Sequence, residues 1–183
     1  FKVILDYAHN TAAVKAICQV VERLGADGKK RIVLSAPGDR RDEDIAEIAR
    51  IVAGQFDYYI CRRDDNTRGR GPTELAELMQ RVLLEEGVPE ARIVVIPDEQ
   101  EANMAALESA ESGDLLLILG DNIKRTWKQI IYFNAGERED AGKEQPPAAL
   151  TLAPEDVEAF RLDADTELVR DERGVRIARE AED

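Results

Sequence analysis

Val3-Ile4-Leu5-Asp6-Tyr7-Ala8-His9-Asn10 is the stretch that decides the fold of this chain. Its aliphatic residues are typical of a buried strand, and a helical pattern begins directly after it at Thr11. In open α/β sheets, the residues between the end of a parallel strand and the next helix lie where ligands bind. The only histidine of the 183 residues stands here, close to a carboxylate and a carboxamide. The stretch therefore predicts a parallel sheet and one wall of a crevice at its edge.

The same alternation of aliphatic runs and helical patterns continues to Phe133. Strands are predicted at 2–5, 31–34, 58–61, 93–96 and 115–119, with 93–96 covered on both faces. Helices are predicted at 11–24 and 99–111 and around the apolar stripes 45–52 and 75–83, and Thr73 is a candidate N-cap. Residues 126–133 fit either a helix or an edge strand. The pattern predicts an α/β fold, a three-layer, mostly parallel Rossmann-like sheet with helices on both faces and right-handed crossovers.

The character of the sequence changes after Phe133. Residues 134–147, with a Pro-Pro pair, are predicted to be a linker, and residues 150–183 are strongly acidic. Residues 167–177 fit a small hairpin, and a solvated, partly disordered tail is the alternative that the composition favours. We therefore predict a domain over 1–133 and an acidic C-terminal extension over 134–183. Because the chain begins inside a strand without an initiator methionine, we also expect a fragment of a longer protein.

Composition and motifs exclude several classes of protein. The net charge of −13 argues against binding to nucleic acid or to an acidic membrane, and no apolar run reaches the ~18 residues of a membrane span. Cys18 and Cys61 lack metal-ligand spacing and are expected to be reduced, buried thiols of a cytoplasmic protein. The GxxxxGK[ST], GxGxxG and GxSxG motifs do not occur, so a phosphate-binding loop, a dinucleotide fold and a nucleophile elbow are unsupported.

The first loop, residues 6–10, has two interpretations. In the functional one, Asp6 accepts a hydrogen bond from a ribose hydroxyl, while His9 and Asn10 donate to a phosphate or a base. In the structural one, Asn10 caps the following helix and Asp6 complements the positive end of its dipole.

The second loop, residues 38–44, reads Gly-Asp-Arg-Arg-Asp-Glu-Asp. Arg40 and Arg41 are suited to binding a phosphate or a carboxylate in forked geometry. The alternative is a solvated, self-neutralising start of a helix, because acidic residues suit the first turn.

The third loop, residues 64–71, carries the clearest chemistry. A free amino acid needs a cation for its α-carboxylate and acceptors for its α-ammonium group. Arg68 can supply the cation bidentately, and Asp64 and Asp65 can supply the acceptors or hold a basic side chain. A flexible polar loop is the alternative.

In order and spacing, the three loops resemble the C-terminal domain of the Mur ligases, ATP-dependent ligases that include the folylpolyglutamate synthases. The first loop is similar across that family. The second and third loops, with Asn66 between Asp65 and Arg68, are most similar to cyanophycin synthetases, which build a poly-aspartate backbone with arginine branches. The resemblance covers about residues 2–133, and Thr11 departs from it because the family usually has proline there.

The resemblance implies an ATP-dependent amide ligase in which a carboxylate becomes an acyl-phosphate that an incoming amine attacks. An upstream central domain of the same chain would hold ATP and Mg²⁺. This domain would close over it and present an incoming amino acid, with arginine as the candidate, to a polymer or peptide substrate. The residues so implicated are Asp6, His9 and Asn10 near the nucleotide, Asp39, Arg40, Arg41 and Asp42 in the closing cleft, and Asp64, Asp65, Asn66 and Arg68 around the amino acid.

No residue is assigned a catalytic or metal-binding role, and the fragment alone is expected to be folded but inactive. The acidic extension suits either subunit contacts in a homo-oligomer or solubility. Two alternatives stay open, namely a peptidoglycan-precursor Mur ligase and a non-catalytic binding module of the same fold.

Overall fold

The computed structural model describes residues 1–133 and the backbone of two further strands. Residues 1–133 form β1 (Lys2–Asp6), α1 (Thr11–Leu24), β2 (Lys30–Leu34), α2 (Asp42–Val52), β3 (Tyr58–Cys61), α3 (Glu74–Glu85), a 3₁₀ turn (Glu90–Arg92), β4 (Ile93–Val95), α4 (Glu99–Ser109), β5 (Leu115–Leu119) and α5 (Ile123–Tyr132). In a separate unit, β6 (Glu167–Asp171) and β7 (Gly174–Ala178) pair in antiparallel fashion. This pair falls on the predicted hairpin, and the rest of the predicted extension lies outside the described residues.

The five strands of the first unit form one sheet in the order β1-β5-β2-β3-β4, and every pairing is parallel. The predicted Rossmann-like α/β fold is therefore confirmed. The chain moves in one direction from β1 to β4 and then returns to place β5 between β1 and β2. Right-handed crossovers that run in opposite directions put their helices on opposite faces. Accordingly, α1, α2 and α3 share one apolar core, while α4 and α5 contribute to the other.

β5 is the centre of both cores, and all five of its residues are buried. Leu115, Leu117 and Leu119 face the larger core, whereas Leu116 and Ile118 face the smaller one. This alternation follows from the two-residue period of a strand. A continuous apolar run was therefore needed at this position, because each face of the strand meets helices.

The prediction that 93–96 is covered on both faces was wrong. β4 ends at Val95 and lies at the edge of the sheet, and 48% of Val94 is exposed. Of the helices in residues 1–133, α4 and α5 cover that face, and neither forms a core with Val94. The ambiguous segment 126–133 belongs to a helix that begins earlier, at Ile123, where the Asn122 side chain accepts a hydrogen bond from the Arg125 amide at 3.1 Å.

A buried carboxylate fixes the edge of the sheet at which β2 and β5 begin. Asp114 accepts hydrogen bonds from the Lys29 amide at 2.7 Å, the Glu111 amide at 3.0 Å and Nε of Arg31 at 2.6 Å. Burial alone would raise the pKa of Asp114, but these donors favour the charged form and hold the pKa at about 2. Gly28 is required beside it, because a Cβ there would lie 2.4 Å from Oδ1 of Asp114. None of the helices described is long and apolar enough to cross a membrane.

Candidate functional site

The three loops meet at the edge of the sheet where the strands end. β1, β5, β2 and β3 lie side by side in the sheet in that order, so the segments that follow them are brought to one edge. The side chain of His9 lines a hollow of ≈ 210 Å³ with Asn10 and Arg40, and a smaller one of ≈ 20 Å³ with Asp64 and Asp121. We call the surface formed by the three loops and Gly120–Asn122 the crevice. The first loop thus borders both the second and the third.

In the first loop, Asn10 caps α1, as the structural interpretation predicts. Its Oδ1 accepts a hydrogen bond from the Ala13 amide at 2.9 Å. Nδ1 of His9 lies 3.1 Å from the carbonyl oxygen of Tyr7. Because a carbonyl oxygen only accepts, Nδ1 is the donor in this contact. Asp6 ends β1, and its carbonyl oxygen accepts a hydrogen bond from the Gly120 amide at 2.9 Å. Contact of these three residues with a nucleotide stays a prediction.

In the second loop, most of the charged side chains are already paired. Nη2 and Nε of Arg41 donate to the two carboxylate oxygens of Asp44 at 3.0 and 3.1 Å. The two charges neutralise each other at the start of α2, which is the structural interpretation of this loop. Asp42 lies 2.7 Å from Nη2 of Arg70. Asp39 has a loose ion pair, at 3.9 Å, with Arg68. Arg40 is the arginine of this loop whose side chain lines the larger hollow.

The third loop has an unusual backbone that its sequence partly explains. Arg68 has φ of 53°, in the left-handed region, and Gly69 follows with φ of 88°. Oδ1 of Asn66 accepts a hydrogen bond from the Arg68 amide at 3.0 Å, and this closes the turn. A left-handed residue other than glycine costs on the order of 1–3 kcal/mol, and such strained residues cluster at active sites and ligand clamps. The role of Asn66 seen here is to shape the loop that presents Arg68.

Sequence reasoning missed a chain of charges beneath this loop, which is buried at Arg62 and Glu99 and partly exposed at Arg125 and Asp65. Arg62 has no exposed side-chain surface, and its Nη2 lies 2.6 Å from the Leu119 carbonyl oxygen and 3.1 Å from Oε1 of Glu99. Oε2 of Glu99 accepts a hydrogen bond from Arg125, whose Nη1 lies 2.8 Å from Oδ2 of Asp65. Asp65 is therefore bound within the protein. The separate positions of these residues in the sequence give no signal of this pairing, apart from a charge that directly follows β3.

The charge chain changes the acidity of the third loop. Burial raises the pKa of Asp64 to about 6, although Arg62 opposes the rise from 3.5 Å. The hydrogen bond from Arg125 lowers the pKa of Asp65. Burial lowers the pKa of Arg62, and Glu99 opposes this effect. Asp64 is therefore the carboxylate of the loop whose charge is held least firmly.

Thr73 precedes α3 as predicted, but its hydroxyl does not cap the helix. Oε2 of Glu74 instead accepts a hydrogen bond from the Gly71 amide at 2.9 Å. Among the described residues, no group of three or more histidine, cysteine or carboxylate side chains is arranged to hold a metal ion.

Comparison with known proteins identifies the family of this chain. Residues 1–122 match the family described as "Mur ligase, glutamate ligase domain". Cyanophycin synthetase from Nostoc sp. (strain PCC 7120) is 36% identical over 130 residues, which are 71% of this chain and 14% of the relative. A second relative, from Caldanaerobacter subterraneus subsp. tengcongensis, is a UDP-N-acetylmuramoyl-L-alanyl-D-glutamate–2,6-diaminopimelate ligase. It is 31% identical over 122 residues, which are 66% of this chain and 24% of the relative.

Solved structures agree on the fold. A diaminopimelate ligase of the same kind has a TM-score of 0.53 at 23% identity, over 63% of this chain and 23% of its own. E. coli FolC in complex with DHPP and ADP has a TM-score of 0.52 at 24% identity, over 74% of this chain and 29% of its own. This chain thus spans about one seventh of the cyanophycin synthetases it matches. The resemblance stated from the three loops is confirmed, and the chain belongs to the Mur ligase family as its glutamate ligase domain, with similarity to cyanophycin synthetases.

Proposed function

We propose that this chain is the C-terminal domain of an ATP-dependent carboxylate–amine ligase and presents the incoming amino acid, with arginine as the candidate. The observation that carries the proposal is the position of Arg68 and Asp64 in one loop of the crevice, in a chain 36% identical to a cyanophycin synthetase. A cation and a carboxylate in one loop match the two charged groups of a free amino acid. Sequence similarity to relatives named as ligases supports amide formation as the reaction.

Arg68 is the proposed partner of the α-carboxylate. Its guanidinium is half exposed, and its contact with Asp39 is long enough to give way to a ligand. Asp64 is the proposed partner of an ammonium or guanidinium group. Each such charge-assisted hydrogen bond contributes roughly 1.5–3 kcal/mol. Arg40 and Asp39 would complete the cleft, whereas Arg41, Asp42 and Asp65 support the loops through the pairs they already make.

ATP, when bound, supplies the phosphoryl group that activates the acceptor carboxylate. The first loop borders the larger hollow, where Nε2 of His9 and the start of α1 fit the edge of a nucleotide. The chain has no phosphate-binding loop, so the phosphates and Mg²⁺ belong to an upstream central domain in this proposal. Asn10 would act mainly by holding α1, because its side-chain oxygen is used in the cap.

Closure of this domain over the central one would complete the site. A positioned amine reacts far faster than a free one, and a closed site protects an acyl-phosphate from water. The crevice of this chain alone is open, so the isolated chain is expected to fold without forming product.

The test is an amide-formation assay on the full-length protein, with ATP and with arginine, lysine, diaminopimelate or glutamate as the amine. We expect ATP consumption that depends on arginine, and a KM for arginine raised about tenfold or more in Arg68→Ala. Arg81→Ala is the control, because Arg81 is an exposed arginine of α3 outside the crevice. Equal KM values in the two variants would contradict the assignment of Arg68.

The amine that is used separates the remaining alternatives. A preference for diaminopimelate would favour the peptidoglycan-precursor ligase, which the 31% identical relative supports as the second candidate. ATP consumption with none of the four amines, together with amino-acid binding in calorimetry, would favour the non-catalytic binding module.

A further inference from the structure

Arg70 contacts both loops that are proposed to bind the amino acid. Its Nε donates to the Gly38 carbonyl oxygen at 2.9 Å, and its Nη2 donates to the Arg40 carbonyl oxygen at 2.7 Å. The same Nη2 lies 2.7 Å from Oδ1 of Asp42, and Nη1 lies 2.7 Å from Oε1 of Glu74. One guanidinium thus joins the second loop to the start of α3. Most of the side chain is buried, which is unusual for an arginine in a surface loop.

A second contact, independent of Arg70, brings the same loops together. A Cβ at Gly38 would lie 2.5 Å from the carbonyl oxygen of Thr67. A real Cβ is not found this close to a backbone atom, so only glycine permits the approach. The backbones of the second and third loops therefore touch directly, next to Arg68.

We propose that Arg70 is a positioning residue that fixes the second loop against the third and so sets the spacing between Arg40 and Arg68. The inference rests on the proposed function, because it assigns the spacing a role in binding the incoming amino acid. Arg70 already contacts four protein oxygens, so we expect it to act through the loops. These contacts do not include the first loop. Arg40 lines the larger hollow together with His9, so loosening the second loop should raise the KM for ATP less than the KM for the amino acid.

Lysine cannot replace Arg70 in this position. Its ammonium group is a single point, whereas the contacts of Arg70 diverge from three nitrogens toward four oxygens. Arg70→Lys therefore keeps the charge and loosens the loops. Arg50→Lys is the matched control, because Arg50 in α2 contacts Glu86 at the opposite end of α3, at 3.5 Å.

The experiment uses the full-length protein and measures KM for the amino acid, KM for ATP, kcat and the melting temperature. We expect Arg70→Lys to raise the KM for the amino acid about tenfold, since small misplacements of binding groups have effects of this order, while the KM for ATP rises about threefold at most. Gly38→Ala, which separates the loops without removing a charge, should shift the same KM in the same direction. Arg50→Lys should leave both KM values unchanged.

Two results would overturn the inference. One is an equal rise of both KM values in Arg70→Lys, which indicates a general structural role. The other is an unchanged KM for the amino acid in Arg70→Lys. If the wild type forms no product with any amine, the proposed function fails. Hydrogen exchange then decides whether Arg70 fixes the loops: faster exchange at 38–42 in Arg70→Lys than in Arg50→Lys supports this, and equal exchange overturns it.

Discussion

Replacement of Glu99 by alanine is expected to destabilise the domain by about 3–5 kcal/mol, the usual cost of removing one partner of a buried ion pair. The side chain of Glu99 is buried between Arg62 and Arg125. Arg62 has no exposed surface, and of its two ion pairs it would keep only the one to Asp64, at 3.5 Å, beside its hydrogen bonds to the carbonyl oxygens of Leu119 and Arg63. The Asp121 amide, which donates to Oε1 of Glu99 at 2.8 Å, would also lose its acceptor. Arg125 is less affected, because it retains Asp65.

Urea unfolding followed by circular dichroism measures this loss, with Glu101→Ala as the matched control. Glu101 is exposed and, like Glu99, lies in the first turn of α4, so the control has a similar effect on helix propensity and on the helix dipole. The two variants should have equal m-values and differ by about 3 kcal/mol or more in unfolding free energy. A difference below about 1 kcal/mol would refute the view that the Arg62 charge depends on Glu99.

Three further predictions concern other titratable groups. Asp114→Asn should lower the free energy of unfolding at pH 7 by about 2 kcal/mol, because the native pKa of about 2 lies below the unfolded value of 3.8. In the wild type this contribution is complete above pH 4 and is lost as the pH falls through about 2. Acid unfolding of both proteins measures the difference. The KM of the full-length enzyme for the amino acid should rise as the pH falls below about 6, where Asp64 takes up a proton, and Asp64→Asn should remove this dependence. Cys18 and Cys61 should not react with a thiol reagent in the native chain, since burial raises their pKa values to about 11 and about 12, and both should react in urea.

Each of these predictions has an outcome that contradicts it. Parallel acid-unfolding curves for the wild type and Asp114→Asn would show that Asp114 is not the group that titrates. A pH-dependent KM that persists in Asp64→Asn would assign the dependence to another residue. Rapid modification of either cysteine under native conditions would mean that its environment opens readily.

The elements that the sequence predicted well are those that depend on neighbours in the chain. α1 extends from Thr11 to Leu24 as predicted, because its apolar stripe has the helical period and the Asn10 cap forms within one turn. β5 matches 115–119 because a central strand must be apolar on both faces. The edge position of β4 could not be read in this way. Its apolar residues are typical of a covered strand. Val94 is exposed because the helices on its face of the sheet do not pack against it, and this is seen only in the tertiary structure.

In the crevice, the residue types were predictable and their pairing was not. The sequence indicates that Arg68 and Asp64 follow a strand that ends at a ligand-binding edge. It does not show that Arg41 forms an ion pair with Asp44, or that Asp42 forms one with Arg70. Charged side chains on a loop look alike in a sequence, whether they face solvent or a partner.

The sequence alone determined the order of strands and helices, the family resemblance and the three loops, because periodicity, capping and loop spacing are local properties of the chain. Only the tertiary structure decided which charges are buried together. Arg62, Glu99 and Arg125 come from three distant segments, and the parallel sheet brings them within hydrogen-bonding distance. The free energy of a charge depends on its burial and on its partners, and both are set by the packed fold.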